Sequence, residues 1–304
     1  MSAIGGLYDF FYVPLLLPTA TVEALLPDGA RLLPIPHSIL TSLVGPQDAS
    51  SSSSSTNTHL VALQLGYQRG TGPLLLPFGM NFSEAKLEVP YVSHPYLTLP
   101  STEPEASPAF LLKQTILFSS AMLSAPSNLI AGLKSHNVAF TPAKRSVPFD
   151  VPADSADQVT YGAEGFLDAV LSPVVEGAGP ALEENKATLE ALTTLLHAEW
   201  FGHRTGRTVT RFEYARLSPS LPPAATSSSK AIKRDAEIAP RRYTLDAGKL
   251  HLGAFLPPQK VGKSEEGGGG GGGGGAAGRQ VIEIPKGTKA WRVRAQYRSF
   301  ARSV

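Results

Sequence analysis

The feature that most constrains the fold is a pair of strand-like runs that lie close together in the chain. Residues His59 to Tyr67 and residues Asn81 to Val92 both alternate between apolar and polar side chains. A period of two is typical of strands that bury one face. Because only a short connection containing Gly and Pro separates the two runs, they are predicted to be neighbours in one sheet.

Composition favours a domain built from strands and turns. The chain has 304 residues, and its 29 glycines and 26 prolines favour turns over long helices. Large β-rich domains reach this length as one unit. The sequence therefore predicts one domain over residues 1–262 with a Ser-rich loop at 50–58 and a helical excursion at 150–204, then a Gly-rich linker at 263–278 and a strand-like segment at 279–304 that packs back on the domain.

Charge and residue usage exclude several partners and cofactors. The net charge is +2 and no long basic run is present, so neither nucleic acid nor a membrane is predicted as a partner. The N-terminus has no charged start before its apolar stretch, so a cytoplasmic location is expected. There is no cysteine, and the six-residue spacing of His197 and His203 does not put two imidazoles on one helix face. No metal and no cofactor are predicted.

Other segments give individual predictions of secondary structure. The stretch from Tyr8 to Leu17 contains Pro14 and is predicted to be an edge strand, or a strand that ends at the proline. Pro108 to Phe118 is predicted to be a further strand. Gly165 to Val175 and Glu183 to Phe201 have apolar residues at helical spacing, so two helices are predicted there.

Four segments together resemble the acetoacetate decarboxylase superfamily. Val22 to Pro27 resembles its short helix ending at a proline, His59 to Gln68 resembles the strand that follows, and Asn81 to Pro90 resembles a strand with a glutamate six residues before a proline. Leu117 to Lys134 is similar to the stretch leading to the family's imine-forming lysine. The resemblance implies an α+β fold, mainly antiparallel β, arranged as a cone or barrel with a few peripheral helices.

The resemblance also implies a chemistry. In this family a lysine forms an imine with the ketone of a β-keto acid, and the protonated imine accepts the electrons left when carbon dioxide departs. The lysine must be neutral to attack, so its pKa has to fall from ~10.4 through burial or a cationic neighbour. By position, Lys134 is implied as the nucleophile and Glu84 as the acid/base group.

Four more residues are implied as substrate contacts. Gln64 falls where the family has a second glutamate, Tyr8 falls near its substrate-binding arginine, and Ser135 falls at its second lysine, with His136 adjacent. These departures favour a keto or β-dicarbonyl small molecule other than acetoacetate. The family also implies a homo-oligomer.

Alternatives remain open for these residues. A shift of one position puts Ser135 in place of the imine-forming lysine, Lys134 fits an ordinary surface lysine at a helix end, and Glu84 fits an outward residue of an alternating strand. The sequence therefore leaves two functions: a decarboxylase-like carbon–carbon or carbon–oxygen lyase, and a catalytically silent or non-imine protein that binds a small molecule in the same cavity.

Overall fold

The computed structural model describes residues 4–45, 58–73, 79–97, 109–130, 132–142, 158–174, 182–202, 208–214, 238–255 and 281–303. The predicted Ser-rich loop, apart from Thr58, and the predicted Gly-rich linker lie outside these ranges.

The described residues form fourteen strands and four α-helices. The strands are β1 Ile4–Pro18, β2 Arg31–Leu32, β3 Thr58–Pro73, β4 Met80–Ser93, β5 Phe110–Phe118, β6 Ser135–Asn137, β7 Phe140–Thr141, β8 Val159–Ala163, β9 Leu167–Pro173, β10 Trp200–Gly202, β11 Thr208–Tyr214, β12 Ile238–His251, β13 Val281–Glu283 and β14 Lys289–Ser303. The helices are α1 Thr19–Glu23, α2 His37–Leu43, α3 Ala121–Ile130 and α4 Leu182–Leu196.

Seven strands close into a barrel. Their order is β1-β3-β4-β5-β10-β11-β14, and β14 pairs back with β1 from Ile4 opposite Ser299 to Tyr12 opposite Trp291. All neighbours in this ring are antiparallel except β5 and β10. Strands β12, β9, β8 and β7 continue outward from β14, and a large apolar cluster packs between them and the outer face of the barrel. The predicted fold class, mainly antiparallel β with few helices, is confirmed.

The two alternating runs, His59 to Tyr67 and Asn81 to Val92, lie in β3 and β4. They pair antiparallel, with Gln64 opposite Lys86 and Gly66 opposite Glu84. The prediction that they are sheet neighbours is confirmed.

The prediction that Tyr8 to Leu17 is an edge strand is correct only after Tyr12, and the alternative that the strand ends at Pro14 is wrong. Strand β1 lies inside the ring, paired with β14 on one side and β3 on the other, and continues through Pro14 to Pro18. The β14 ladder ends at Tyr12, so Pro14 lies where β1 has only one partner strand. A proline lacks the N–H donor, and at this position the missing donor can face the unpaired side.

The helix predicted over Gly165 to Val175 is also wrong. Residues Leu167–Pro173 form β9, which pairs with β8 and β12. Gly165 has a φ of 76° and so supplies the left-handed residue that the tight turn between β8 and β9 requires. Leu167, Ala169 and Leu171 are buried in alternation, which is a period of two hidden by residues that also favour helices.

The longer helices pack their apolar side chains against the barrel strands. Helices α2 and α4 pack against each other and share an apolar cluster with residues of β1, β3 and β14. The longest of the four, α4, has 15 residues. No helix in the described ranges is long and apolar enough to cross a membrane.

A buried ion cluster joins the first and last barrel strands. Asp9 on β1 is 1% exposed, and it accepts two hydrogen bonds of 3.1 Å from the guanidinium of Arg292, which is fully buried. Asp9 also accepts a short hydrogen bond from Arg294 Nε. The carboxylate therefore ties β1 to two positions of β14 at the seam where the barrel closes.

Removing this carboxylate is expected to destabilise the fold strongly. Asp9→Asn removes the carboxylate that is paired with the buried guanidinium of Arg292 and the partly buried guanidinium of Arg294, so the free energy of unfolding should fall by about 3–5 kcal/mol. Urea denaturation followed by circular dichroism measures the change. Glu213→Gln, which breaks the exposed ion pair with Arg211, is the control, and it should cost about 1 kcal/mol or less. Equal effects of the two substitutions would contradict a structural role for Asp9.

Candidate active site

The barrel interior contains a group of charged and aromatic side chains. The ammonium of Lys86 on β4 lies 5.2 Å from the ring centre of Phe212 on β11, although β5 and β10 separate these two strands in the ring. Such a contact is made only across the inside of the barrel. On the opposite face of the same strands, apolar side chains pack against the outer layer.

Strand β4 supplies three ionisable side chains to the interior at alternate positions. Glu84, Lys86 and Glu88 are at most 2% exposed, and alternation places all three on one face of the strand. Glu84 Oε1 forms a close ion pair with Lys86 Nζ. The interpretation of Glu84 as an outward residue of an alternating strand is wrong, because the polar face of β4 is the interior face.

A second lysine enters the interior because β5 is irregular. Leu87 pairs with Thr115 and Glu88 pairs with Lys113, so Gln114 is an extra residue on β5. Strict alternation from the inward Ile116 would turn Lys113 outward. The bulge reverses this pattern, and Lys113 faces Glu88 while Gln114 donates to the Phe255 carbonyl on the outer side at 2.6 Å.

Lys113 is fully buried among groups that act on its charge in opposite directions. Its Nζ is 3.6 Å from Glu88 Oε1, 4.1 Å from the ring centre of Trp200 and 3.9 Å from that of Phe212. Burial lowers the pKa of Lys113 well below its ordinary value, and the ammonium of Lys86 lowers it further. Burial raises the pKa of Glu88 against the opposing effect of Lys113. Burial therefore opposes ionisation of both members of the pair, whereas their mutual attraction and the two ring faces favour it.

The side-chain amide of Gln68 is held in one orientation and positions Glu84. Gln68 Nε2 donates to Glu84 Oε2 at 2.8 Å. The oxygen of the same amide accepts from the Tyr297 hydroxyl at 2.5 Å and from the Thr71 hydroxyl at 2.9 Å. Because both hydroxyls fix the amide oxygen, the amide nitrogen is held towards the carboxylate.

Gln64 makes the corresponding contact to the other carboxyl. Its Nε2 donates to Glu88 Oε2 at 2.7 Å. Its Oε1 is buried and has no hydrogen-bond partner among the described residues. The amide beside Glu88 is therefore less restrained than the amide beside Glu84.

Two interior phenols have unused hydroxyl groups. The hydroxyls of Tyr8 and Tyr12 on β1 are buried, and neither has a hydrogen-bond partner within the described part of the chain. Burial raises the pKa of both, and Glu84 raises that of Tyr8 further while Glu88 does so for Tyr12. Both are thus neutral donors. Gly66 admits the Tyr8 ring, since a Cβ there would lie 2.5 Å from Tyr8 Cε2.

The structure brings together only part of the predicted site. Glu84, Gln64 and Tyr8 all lie in the barrel interior. Lys134 does not approach them, because its half-buried ammonium donates to the Phe255 carbonyl at 2.6 Å on the outer face of β5. Burial lowers the pKa of Lys134.

The two neighbours of Lys134 also lie outside the interior group. The Ser135 hydroxyl donates to the Ser124 carbonyl at 2.8 Å, which links it to helix α3. The His136 ring packs on Phe166 with ring centres 5.6 Å apart. Burial lowers the pKa of His136, and Lys134 adds to that effect. Neither of these contacts involves the charged side chains of the barrel interior.

Sequence reasoning missed Lys113 and Lys86 as functional candidates. The available signal was a lysine within the otherwise apolar run FLLKQTILF, all nine residues of which are buried. A lysine is almost never fully buried without a partner, so its presence in such a run predicts a charge partner inside the fold. Within the described ranges no group of three or more His, Asp and Glu side chains could hold a metal ion.

Comparison with known proteins supports the fold. No family model and no curated protein sequence matches the chain. Among solved structures, acetoacetate decarboxylase from Legionella pneumophila subsp. pneumophila str. Philadelphia 1 matches with a TM-score of 0.50 and 10% identity, over 100% of this chain and 87% of that one. The chain therefore has the acetoacetate decarboxylase fold, as the sequence resemblance implied.

Two further structures are similar at lower scores. An acetoacetate decarboxylase-like enzyme from Sphingomonas wittichii RW1 matches with a TM-score of 0.44 and 13% identity, over 100% of this chain and 92% of that one. The enduracididine biosynthesis enzyme MppR complexed with pyruvate matches with a TM-score of 0.45 and 8% identity, over 99% of this chain and 90% of that one.

The unused phenol should respond differently to substitution from a phenol that is hydrogen-bonded. Tyr12→Phe removes a buried hydroxyl without a described partner and should raise the free energy of unfolding by about 1 kcal/mol. Tyr161→Phe removes a hydroxyl that donates to the Glu84 carbonyl at 2.8 Å, and should lower the free energy of unfolding by about 1 kcal/mol. Chemical denaturation of the two variants measures both signs. A loss of stability in Tyr12→Phe equal to that in Tyr161→Phe would contradict the conclusion that the Tyr12 hydroxyl makes no hydrogen bond with the described residues.

Proposed function

We propose that this chain, a barrel with the acetoacetate decarboxylase fold, is a carbon–carbon or carbon–oxygen lyase that acts on a small keto or β-dicarbonyl compound through a lysine imine. One observation carries the proposal. The interior holds a buried lysine, Lys113, whose pKa is lowered by burial and by Lys86, at 3.6 Å from a carboxyl whose pKa is raised. A neutral amine next to a proton donor is the arrangement that imine formation requires.

The covalent step follows from this pair. The lone pair of the Lys113 nitrogen attacks the carbonyl carbon, and the carbonyl π electrons move to oxygen to give a carbinolamine. That oxygen then leaves as water, with one proton from the amine and one from Glu88, while the nitrogen lone pair forms the C=N bond. The products are a cationic iminium on Lys113, a Glu88 carboxylate and water. The carboxylate then faces the new cation at the distance of the present ion pair.

The second ion pair has a supporting role in this proposal. The ammonium of Lys86 is held by Glu84, and Glu84 is oriented by Gln68. A fixed positive charge near Lys113 favours the neutral amine. Lys134 is also a candidate for the imine, because burial lowers its pKa. The geometry favours Lys113, since Lys134 lies on the opposite face of β5 with its ammonium bound to a main-chain carbonyl.

A second candidate function is small-molecule binding without an imine. It is favoured by the fact that each interior lysine already has a carboxylate partner, and by the glutamine that donates to Glu88. In that case the two ion pairs hold the barrel interior open for a ligand without reacting with it.

Reductive trapping separates these candidates. Incubation with a panel of ketones and keto acids in the presence of cyanoborohydride should give a permanent adduct, and peptide mass spectrometry should place it on Lys113. Lys113→Met should abolish the adduct, whereas Lys134→Met should retain it. An adduct on Lys134 instead would identify Lys134, on the outer face of the barrel, as the nucleophile. Ligand binding with no adduct on any lysine would support the binding protein.

The pH dependence of trapping should report on Lys86. The amine reacts only when deprotonated, so the trapping rate should rise with pH through the pKa of Lys113. Lys86→Met removes a positive neighbour that lowers this pKa, so the half-maximal rate should move to higher pH. Lys86→Arg keeps the charge and should leave the profile close to that of the unmodified chain. A profile unchanged in Lys86→Met would contradict the electrostatic role of Lys86.

A further inference from the structure

The interior carries equal numbers of acidic and basic groups. Glu84 lies against Lys86, and Glu88 lies against Lys113. The sum of these four charges is zero when all are ionised. It is also zero when the second pair is present as neutral amine and neutral acid. No unbalanced positive charge is therefore left in this group to receive an anion.

The arginines of the barrel seam do not supply such a charge. Among the described residues, the buried lysines and arginines are Lys86, Lys113 and Arg292. Arg292 follows the inward Trp291 on β14 and faces the other side of the sheet, where its guanidinium lies 5.9 Å from the ring centre of Phe11 and binds Asp9. The positive charge of Arg292 is therefore paired with Asp9 in the layer outside the barrel.

The unused donors of the interior are neutral. The Tyr8 and Tyr12 hydroxyls have no described partner and can each donate to an uncharged oxygen. The remaining walls near Lys113 are the faces of Trp200 and Phe212. Aromatic walls with a few neutral donors are suited to an apolar carbonyl compound.

We infer that the barrel interior takes an uncharged ketone or aldehyde with an apolar or aromatic substituent, and rejects keto acids. The inference rests on the proposed function for its covalent part, but its charge argument concerns binding alone. A keto acid would bring one uncompensated negative charge into a buried site, which is costly. A neutral carbonyl compound keeps the sum at zero, because the iminium and the Glu88 carboxylate form together.

The inference also limits the bond that is broken. An uncharged substrate has no carboxylate to lose as carbon dioxide. The lyase reaction on such a substrate is therefore the cleavage of a carbon–carbon bond to a hydroxylated carbon, or the cleavage of a carbon–oxygen bond. The tyrosine hydroxyls are suited to hold the second oxygen of such a substrate.

A matched pair of probes tests this selectivity. Benzylacetone and the keto acid in which a carboxylate replaces its methyl group share the phenyl ring and the carbonyl group. Binding is measured by equilibrium dialysis, and trapping on Lys113 by cyanoborohydride and peptide mass spectrometry. Benzylacetone should exceed the keto acid by about tenfold or more in both measurements. Glu84→Gln leaves Lys86 without its counter-charge, so the ratio should shift towards the keto acid by about tenfold.

The outcomes distinguish the two proposals. Equal or better binding and trapping of the keto acid overturns the inference and leaves the imine proposal intact. Selective binding of benzylacetone without trapping of either probe supports the inference and contradicts the imine. Binding of neither probe overturns both. A Glu84→Gln variant with an unchanged ratio contradicts the charge argument.

Discussion

The rest of the structure depends on the cancellation of charge inside a closed barrel. Ionised groups removed from water are stable only when they are paired and hydrogen-bonded. Here two carboxyls and two lysines on β4 and β5 satisfy one another, and two glutamines from β3 complete the carboxyl contacts. Because the four groups share one environment, a change in the protonation of one alters the others. The same coupling that stabilises the interior makes it chemically responsive.

The barrel achieves this arrangement with simple strand geometry and one irregularity. Alternation along β4 directs three ionisable residues inward, while the intervening residues pack into the outer apolar layer. The bulge at Gln114 then reverses the alternation of β5, so that Lys113 meets Glu88. Bulges commonly re-aim side chains next to functional sites. The proposed reactivity thus depends on one extra residue in a strand.

Strand geometry explains which residues of the candidate site the sequence predicted and which it did not. Glu84, Gln64 and Tyr8 were predicted from the family resemblance alone, and the structure places them together in the barrel interior because they lie on paired strands. Lys113 was missed because its direction depends on a bulge, and a bulge is decided by pairing with β4 and not by the local residues. The β9 strand was missed because Leu and Ala also favour helices. The pairing of β14 with β1 joins distant parts of the chain, so no local sequence pattern predicts it.

The seam between β1 and β14 has a consequence for how the protein is made. Asp9 and Arg292 are separated by 283 positions, so the first strand leaves the ribosome long before its partner has been translated. Until then the ring stays open, and the edges of β1 and the acidic and basic side chains of β4 and β5 are accessible to water and to other chains. Contacts of such long range are slow to form, and unpaired strand edges favour aggregation. The nascent chain is therefore open to aggregation until the final strand emerges and closes the ring.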